Sequence, residues 1–284
     1  MKGLIISNSY GKYKVISDNQ IFELTPRGIF RKSKETLIVG DIVEFSLDSM
    51  TIDKIYPRIN YSKRPLIANI DYLAIVSSVA RPDFSFELIF KFITYANTVG
   101  IKAIVVISKS DLLDNDLKEK IIKELNLLDI KYFFTNKYDV SSIEELKEFL
   151  KDKKTCFMGQ SGVGKSSLLN LLDSSYARNI GEYSEALGRG KHETKEVVLL
   201  PFFDGFVGDS PGFSSLILDL EPQELAKKYL NFASYECRFN DCLHTNNVDC
   251  GVLSGRDEGK ISDEEYSCYL KLLKEALELK RGKK

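Results

Sequence analysis

Hydrophobic and polar residues alternate in five short runs between residue 1 and about residue 62. An alternation with a period of two is typical of half-buried strands, and Gly, Asp and Asn turn residues separate the runs. They read KGLIISN, KYKVISD, QIFELTP, VGDIVEFSL and MTIDKIY. Five short strands at this spacing predict a small N-terminal β-barrel, either an OB-fold or an SH3-like barrel.

Beyond about Ile70, continuous apolar runs alternate with segments of helical periodicity. Four runs are predicted to be buried strands, DYLAIVSSV, IKAIVVIS, KYFFT and KTCFMGQ, because a strand covered on both faces has few polar positions. The intervening segments FELIFKFITYANTVG, DNDLKEKIIKELNLL and SSIEELKEFL repeat apolar residues at helical spacing. The first ends at Gly100, and the third begins with a capping-box pair, Ser142 and Glu145. This alternation predicts a mostly parallel α/β sheet covered on both faces.

After Pro211-Gly212 the pattern becomes helical and charged. It predicts helices over Gln223–Phe232 and Asp263–Arg281. We therefore expect three domains: a barrel at residues 1–62, an α/β domain at residues 63–216 and a mostly helical domain at residues 217–284. A length of 284 residues agrees with two or three domains of about 100 residues.

The composition excludes several classes of protein. Hydrophobic content of 43% and charged content of 29% describe an ordinary globular chain, and no apolar run approaches the roughly 20 residues of a membrane span. The first residues lack the pattern of a signal peptide, so we expect a cytoplasmic protein with no membrane partner. Residues 1–65 carry 11 Lys and Arg against 7 Asp and Glu. Charge alone favours a solvated barrel surface there over an RNA-binding patch.

A phosphate-binding loop joins the strand KTCFMGQ to the helix GKSSLLNLLD. The sequence GQSGVGKSS (residues 159–167) fits the P-loop pattern in full, at the strand-to-helix junction where such a loop must lie. Its glycines allow backbone N–H groups to face phosphate oxygens at the positive end of the helix. We expect Lys165 to reach the β- and γ-phosphates and the hydroxyl of Ser166 to bind Mg²⁺.

Two further segments supply what a P-loop enzyme needs besides this loop. In GFVGDSPGF, Asp209 ends an apolar strand and can hold the water shell of Mg²⁺, while the Gly212 amide can approach the γ-phosphate. In ALGRGKHETKEVVLL, Thr194 lies just before a strand, where a GTPase carries the threonine that binds Mg²⁺ only when the γ-phosphate is present. The alternative is that GRGKH is an ordinary basic loop.

Phe213 follows D-x-P-G directly, where many GTPases carry a glutamine that orients the attacking water. Because phenylalanine cannot orient water by hydrogen bonding, we expect slow intrinsic hydrolysis that depends on another group or on a partner. His192 is the candidate group; its alternatives are a contact to phosphate or RNA, or a role in loop structure. The predicted catalytic residues are Lys165, His192 and Thr194.

The stretch NKYD (residues 136–139) matches the N-K-x-D motif of guanine recognition, yet it precedes the P-loop. Residues 140–153 hold one helix, which leaves no strand to deliver a second base-contacting loop. If SKSD (residues 108–111) is the first loop instead, Asp111 reads guanine and TNK (residues 135–137) becomes the second loop, with the Asn136 backbone N–H directed at O6. This motif order is a circular permutation of the GTPase chain. The predicted nucleotide-binding residues are Ser108, Lys109, Ser110, Asp111, Thr135, Asn136, Lys137, Gly159, Gln160, Ser161, Gly162, Val163, Gly164, Lys165, Ser166, Ser167, Asp209 and Gly212, with Ser166, Thr194 and Asp209 around Mg²⁺.

Three of the five cysteines lie close to a histidine, in the spacing Cys237-x4-Cys242-x-His244-x5-Cys250. A Cys3His set is a closed tetrahedral ligand set for zinc. A structural zinc ion would stabilise a small helical domain whose own core is thin. The alternative is ordinary thiols, and the other two cysteines are expected in the core.

These motifs closely resemble those of the circularly permuted, ribosome small-subunit-dependent GTPases of the RsgA/YjeQ family. The resemblance covers nearly the whole chain and rests on VGDIVEF, SKSDLL, GQSGVGKSSLLN, GRGKHET, GDSPGF and CRFNDCLH. It implies an OB-fold barrel, a permuted GTPase domain and a zinc domain, with Mg²⁺ and one structural Zn²⁺ as cofactors. It also implies a late role in maturation of the 30S subunit, with GTP hydrolysis stimulated by that subunit and with 16S rRNA, GTP and GDP as partners. We expect a monomer.

Other interpretations remain open. One is a nucleotide-gated RNA-binding module in which hydrolysis only resets binding, and another is a permuted GTPase that serves the large subunit. Asp111 disfavours an ATPase. We also hypothesise that loss of the γ-phosphate at Gly212, which precedes Cys237 by 25 positions, repositions the zinc domain.

The chain departs from the family pattern in two places. Ser108 stands where N-K-x-D begins with asparagine, and Lys191 and Glu193 replace Arg and Thr in the family stretch GRHTT, while His192 and Thr194 remain. A serine hydroxyl has fewer groups than an amide with which to tie the loops to the base. We therefore expect weaker nucleotide affinity than a Ser108→Asn variant would show.

Overall fold

The computed structural model describes residues 1–9, 11–28, 30, 36–174, 176, 197–210, 216–246 and 249–282. Within these residues the chain forms an N-terminal barrel, a six-stranded sheet covered by helices, and a C-terminal helical module. In this part of the chain no helix combines the length and the apolar character that crossing a membrane requires.

Five strands close the barrel in the order β1-β2-β3-β5-β4. Neighbouring strands are antiparallel, except that β3 and β5 pair in parallel. Inward-facing residues such as Val15, Leu24 and Phe45 form a core of their own. This five-stranded closure is OB-like, which decides between the two predicted barrel types. The strands are β1 (Lys2–Ser9), β2 (Lys12–Ser17), β3 (Gln20–Pro26), β4 (Ile42–Ser46) and β5 (Thr51–Ile55).

A short hairpin follows the barrel, formed by β6 (Tyr61–Lys63) and β7 (Leu66–Ala68). It was not predicted, because strands of three residues are too short to show a periodic pattern. An isolated parallel bridge between Val39 and Ile67 connects the hairpin to the barrel.

A buried polar network fastens this junction. Arg58 Nε and Nη2 donate to the two carboxylate oxygens of Asp41 at 2.6 and 2.8 Å, and the Asp41 side chain is fully buried. Asn69 Nδ2 donates to the Gly40 carbonyl at 2.9 Å. Gly40 has a φ of 89°, and a Cβ there would lie 1.9 Å from the Ala68 carbonyl oxygen, so only glycine allows this approach. The barrel is therefore held closely against the rest of the chain.

The six-stranded sheet has the order β10-β9-β8-β11-β13-β12. All neighbours pair in parallel except β12, which is antiparallel to β13. β8, β9 and β10 form one half of the sheet, β11 and the two strands after the P-loop form the other, and the pairing of β8 with β11 joins the halves. The strands are β8 (Tyr72–Ser78), β9 (Lys102–Ser108), β10 (Tyr132–Phe134), β11 (Lys154–Met158), β12 (Val198–Phe202) and β13 (Gly205–Asp209).

Helices cover both faces of this sheet, as the continuous apolar strands predict. Ile143 and Leu168 belong to the core on one face, and Phe90 and Ile121 belong to the core on the other. The first pair lies on α3 and α4, and the second on α1 and α2. The ranges are α1 (Phe86–Thr98), α2 (Asn115–Leu127), α3 (Val140–Leu150) and α4 (Lys165–Leu172).

The C-terminal module consists of α5 (Pro222–Lys228), α6 (Gly251–Asp257) and α7 (Asp263–Gly282). Its buried residues, among them Val252 and Tyr269, belong to the same hydrophobic core as α1 and α2. Moving the module as a separate body would expose this apolar surface to water. The shared core is thus a physical argument against the hypothesis that the zinc domain is repositioned as a unit.

Three details differ from the predicted elements. The helix predicted over Gln223–Phe232 ends at Lys228, and Leu230 takes a positive φ of 42° that a helix cannot contain. The predicted capping box at Ser142 is wrong, because α3 begins earlier and Asp139 is its N-cap. Helix α6 was not predicted, since it has only seven residues.

Candidate functional site

The carboxyl ends of β8, β9, β10, β11 and β13 meet at one edge of the sheet, because these strands are parallel. The loops that follow them therefore lie side by side. An open α/β sheet binds its ligands at this edge. The predicted phosphate and base loops all begin here.

The P-loop runs from the end of β11 to the start of α4. Gly159 has a φ of 151°, and a Cβ there would lie 2.3 Å from the Val76 carbonyl oxygen. Gly164 has a φ of 97° and forms the left-handed N-cap of α4. Both positions need glycine. The backbone N–H groups at the start of α4 are thereby available to bind phosphate.

Lys165 points back across this loop. Its Nζ donates to the carbonyls of Gly159 and Gln160, each at 2.9 Å. Burial lowers the pKa of Lys165, and the nearby Asp209 carboxylate partly opposes this effect. A buried ammonium group whose partners are neutral carbonyls is stabilised further when an anion binds beside it. Lys165 is placed to contact the phosphates of a nucleotide.

Asp209 and Ser166, two of the three residues predicted around Mg²⁺, lie in direct contact. Ser166 Oγ donates to Asp209 Oδ2 at 3.0 Å, while Asp209 Oδ1 is buried without a hydrogen-bond partner among the described residues. Burial raises the pKa of Asp209, and the Ser166 hydrogen bond and the Lys165 charge lower it. A hydroxyl oxygen beside a carboxylate with one oxygen unused fits a hydrated Mg²⁺ ion.

The two base-contacting loops lie against each other. The Ser110 N–H donates to the Thr135 carbonyl at 3.1 Å, so the SKSD loop touches the TNK loop. The ammonium of Lys137 has a raised pKa, mainly through Tyr138 and to a smaller extent through Asp111. Asp111 is exposed at this edge. The structure thus brings Asp111 and the TNK loop together, as the permuted motif order requires.

Asp139, the acidic residue of the literal N-K-x-D match, has a structural role. Its Oδ1 accepts from the Ser141 backbone N–H at 3.0 Å and from the Ser141 hydroxyl at 2.6 Å, and these bonds lower the pKa of Asp139. It is the N-cap of α3. A carboxylate used in this way is not free to read a base.

The backbone N–H of Asn136, which was predicted to face guanine O6, already makes a hydrogen bond within the protein. This N–H donates to Ser142 Oγ at 3.2 Å, and the Asn136 side-chain Oδ1 accepts from the Tyr138 N–H at 2.8 Å. Donation of this N–H to guanine O6 requires exchange of the Ser142 bond. The energetic cost of this exchange is modest, because a hydrogen bond of this length is weak.

Sequence reasoning missed the loop that follows β8. Lys109 has a φ of 57°, and its Nζ donates to the carbonyls of Ala80 and Arg81 at 2.7 and 2.6 Å. These carbonyls hold Lys109 across the base site. Backbone carbonyls carry no residue-type signal. The position of this loop between the P-loop and the SKSD loop, at the carboxyl end of β8, was the available clue.

Four side chains of the C-terminal module converge as the zinc motif predicts. Sγ of Cys250 lies 3.8 Å from Sγ of Cys237 and of Cys242, and His244 Nδ1 lies 3.5 Å from Sγ of Cys237 and of Cys250. A tetrahedral zinc ion with bonds of about 2.3 Å to sulfur and 2.0–2.1 Å to nitrogen requires separations of about 3.8 and 3.5 Å. His244 Nε2 faces the Ala226 carbonyl at 3.2 Å, which leaves Nδ1 unprotonated for the metal. These residues fit one structural zinc ion.

Comparison with known proteins agrees with this geometry. The sequence profile of the RsgA GTPase family matches residues 53–219, and that of the RsgA N-terminal domain matches residues 2–52. The chain belongs to the RsgA GTPase family. It is therefore a GTP-hydrolysing enzyme that binds GTP and GDP, and the resemblance seen in its motifs is confirmed.

Individual RsgA relatives match along almost the entire chain. A protein of Caldanaerobacter subterraneus named small ribosomal subunit biogenesis GTPase RsgA is 39% identical over 284 residues, which cover 98% of this chain and 96% of the relative. The protein of the same name from Enterococcus faecalis is 36% identical over 97% of this chain and 95% of the relative.

Two solved structures match the fold of the chain along almost its whole length. YjeQ from Thermotoga maritima has a TM-score of 0.83 and 32% identity, over 97% of this chain and 98% of that one. YloQ, described as a circularly permuted GTPase, has a TM-score of 0.79 and 30% identity, over 98% of this chain and 95% of that one. The predicted fold class, with its permuted order, is confirmed.

Three predicted RsgA site residues, His192, Thr194 and Gly212, lie outside the described residues, as does Phe213. Their roles stay predictions. The zinc and Mg²⁺ cofactors agree with the ligand sets described above and with the family.

Ser108, which replaces the usual asparagine of the RsgA base motif, ties the base loop to the P-loop. Its Oγ donates to the Val163 carbonyl at 2.6 Å and lies 3.3 Å from the Ser77 carbonyl. A hydroxyl has one hydrogen and makes one full donation, whereas an asparagine amide has two. Serine therefore keeps the hydrogen bond to the P-loop, and it cannot donate the second hydrogen bond that an asparagine amide could make.

We expect the Ser108→Asn variant to bind GDP more tightly than the wild type, by up to about tenfold, the value of one added hydrogen bond. Ser108→Ala, which removes the tie to Val163, should bind GDP more weakly. Isothermal titration calorimetry with GDP and Mg²⁺ measures both. Equal GDP affinity for wild type and Ser108→Asn would contradict the prediction.

Proposed function

We propose that this protein is an assembly factor of the small ribosomal subunit, and that the 30S subunit stimulates its GTP turnover late in maturation. The observation that carries the proposal is the end-to-end match with relatives named small ribosomal subunit biogenesis GTPase. The barrel, the permuted GTPase sheet and the zinc ligand set are all present in one chain. We further propose that it works in the cytoplasm as a monomer.

In the proposed reaction, the described residues bind and orient the nucleotide. Lys165, held over the P-loop by the Gly159 and Gln160 carbonyls, neutralises the β- and γ-phosphates. Ser166 and Asp209 would hold Mg²⁺, which would supply positive charge beside the phosphates. Asp111 accepts from guanine N1–H and the exocyclic amine.

Activation of the attacking water falls to residues outside the described part. We propose that Thr194 completes the Mg²⁺ site, that Gly212 contacts the γ-phosphate and that His192 orients the water. Phe213 cannot take the last role, since it has no hydrogen-bonding group. A site that lacks its own water-orienting glutamine should hydrolyse slowly alone, which supports stimulation by a partner.

The ribosomal contact is proposed to include 16S rRNA at the barrel. An OB-like barrel is a frequent oligonucleotide-binding fold, although a fold alone does not establish a partner. The surplus of Lys and Arg in residues 1–65 agrees with this contact.

GTP turnover with and without purified 30S subunits tests the proposal. We expect 30S to raise turnover of the wild type by at least tenfold and purified 50S subunits to have no effect. Lys165→Ala should abolish turnover in both conditions. His192→Ala should lose most of the stimulated rate while still binding GDP.

The alternatives give different results. Nucleotide-dependent 30S affinity without stimulation of turnover would support a nucleotide-gated RNA-binding module. Co-sedimentation and stimulation with 50S alone would support a large-subunit factor. Competition of ATP with GTP for binding would contradict guanine recognition by Asp111.

A further inference from the structure

The first turn of α7 packs against α2, the helix that follows the guanine-reading loop. Ser262 Oγ donates to Glu124 Oε2 at 2.5 Å, and Lys120 Nζ pairs with Glu264 Oε2 at 2.7 Å. We call this contact the α2–α7 seam. Helix α2 is capped by Asp114, three positions after Asp111. The seam thus joins the zinc module to the base site.

Glu265 lies inside the seam in an unusual state. It is fully buried, and neither carboxyl oxygen makes a hydrogen bond of good geometry with another described residue; the donor near them is the Ser262 backbone N–H. Its backbone is fully engaged, because its N–H donates to Ser262 Oγ at 2.9 Å and its carbonyl accepts from the Tyr229 hydroxyl at 2.9 Å. These bonds fix the backbone of the first turn of α7, and the packing around the side chain keeps the carboxyl group away from water.

No cationic side chain among the described residues contributes to the pKa of Glu265, and the compensation comes only from the N-terminal end of α7, in whose first turn it lies. Glu124 on α2 is itself a carboxylate and is almost fully buried. Tyr229 at the end of α5 and Tyr235 beyond it are both phenols whose pKa values are raised, chiefly by burial. Burial first, and Glu124 second, raise the pKa of Glu265 to about 8, and the backbone hydrogen bond at Ser262 opposes them. With the Ser262 N–H as the one nearby donor and a second buried carboxylate facing it, the ionised form of Glu265 is disfavoured in such a place.

We propose that the α2–α7 seam is a proton-dependent clasp, in which the first turn of α7 docks on α2 with Glu265 protonated and ionisation of Glu265 loosens this local contact, while the core shared with α1 stays intact. The bound proton neutralises Glu265, which no cationic side chain among the described residues does. Since α2 continues directly from the guanine-reading loop, the state of the clasp also determines how firmly that loop is supported.

The direction of the pH effect follows from the two pKa values. Glu265 titrates at about 8 in the docked state, and at about 4.5 when it is exposed to water. The docked state therefore binds the proton more tightly. The stabilisation of docking by protonated Glu265 is fully present below about pH 4.5. Between about pH 4.5 and 8 the docking equilibrium weakens by up to tenfold per pH unit, and above pH 8 it is constant.

Hydrogen–deuterium exchange of the full zinc-loaded chain with GDP tests the clasp. Opening of the seam is measured as the exchange rate of backbone amides in α2 and α7. The rates are compared at pH 5.5, 6.5, 7.5 and 8.5 in the wild type and in Glu265→Gln. The ratio of wild-type to variant exchange at each pH removes the intrinsic pH dependence of the chemistry. We expect this ratio to rise by at least tenfold between pH 5.5 and 8.5.

Two further variants sharpen the test. Glu264→Gln makes the same change at the neighbouring position, which is partly exposed and paired with Lys120, and should show no such rise. Glu124→Gln removes the facing charge, so it should lower the pKa of Glu265 and shrink the rise. If Glu265→Gln fails to fold, Glu265→Leu supplies a second neutral side chain for the same ratio.

Two outcomes would overturn the proposal. A ratio that is constant with pH would show that Glu265 does not titrate with docking. The ratio of the exchange rates could instead depend on the concentration of K⁺ or Mg²⁺ at constant pH. That result would show that a cation, and not a proton, neutralises Glu265.

Discussion

Replacement of Asp111 by asparagine is expected to abolish recognition of guanine and to create recognition of xanthine. In the proposed site the Asp111 carboxylate accepts two hydrogen bonds from guanine, whereas an asparagine would place a donor against the same edge. Xanthine carries a carbonyl where guanine carries the exocyclic amine, so it matches the new donor. A site built to hydrogen-bond one ligand rejects a mismatched one by about 10⁴-fold.

Calorimetry or fluorescence titration with GDP and with xanthosine diphosphate measures this inversion. We expect Asp111→Asn to lose at least 10³-fold in GDP affinity and to prefer xanthosine diphosphate. Asp139→Asn is the matched control, because it makes the same change in the literal N-K-x-D stretch. As Asp139 caps α3, its variant should retain the wild-type GDP affinity. An inversion in Asp139→Asn, and not in Asp111→Asn, would refute the assignment of the base loops.

Loss of the zinc ion is expected to unfold the C-terminal helical module. The ligand loops hold little regular structure between α5 and α6, and zinc sites of this kind contribute about 10 kcal/mol to the folding of small domains. Tyr266 and Tyr269 of α7 donate to the carbonyls of His244 and Leu243 at 2.7 and 2.8 Å, so disorder at the ligands reaches the long helix. The exposed core would then include residues of α1 and α2.

Cys250→Ser and a chelator provide two independent ways to remove the ion. We expect a fall of more than 10 °C in Tm, loss of helical circular dichroism and zinc content below one equivalent. Cys268→Ala is the control, since Cys268 is buried in α7 away from the ligand cluster. It should keep one zinc per chain. Full zinc content in Cys250→Ser, or unchanged helicity without zinc, would contradict the structural role.

The barrel and the phosphate loop could be predicted from the sequence because their signals are local. Each of the first three barrel strands pairs with its neighbour in the chain, so alternation and turns are sufficient. The P-loop needs glycines at Gly159 and Gly164 for steric reasons that no other residue satisfies. The zinc ligands are likewise specific residue types at short spacing.

Other features depend on contacts that carry no local signal. The donors to Asp139 lie two residues away, yet a capping box at Ser142 was the stronger pattern, and only the backbone shows which one caps the helix. The supports of Lys109 are carbonyls, which every residue has. Glu124 and Ser262 are 138 positions apart, so their hydrogen bond could not be inferred from one sequence.

The division of the sheet into two contiguous halves has a consequence for the order in which a nascent chain acquires its function. Residues 72–134 build the half that reads the base, and residues 154–209 build the half that binds phosphate. During synthesis the barrel and then the base-reading half leave the ribosome first, as units able to begin folding. Asp209, the carboxylate predicted beside Mg²⁺, is in place only when β13 has emerged and paired with β11. The first half therefore begins to fold without a complete nucleotide site, and its helices α1 and α2 gain the apolar partners of the C-terminal module only at the end of synthesis.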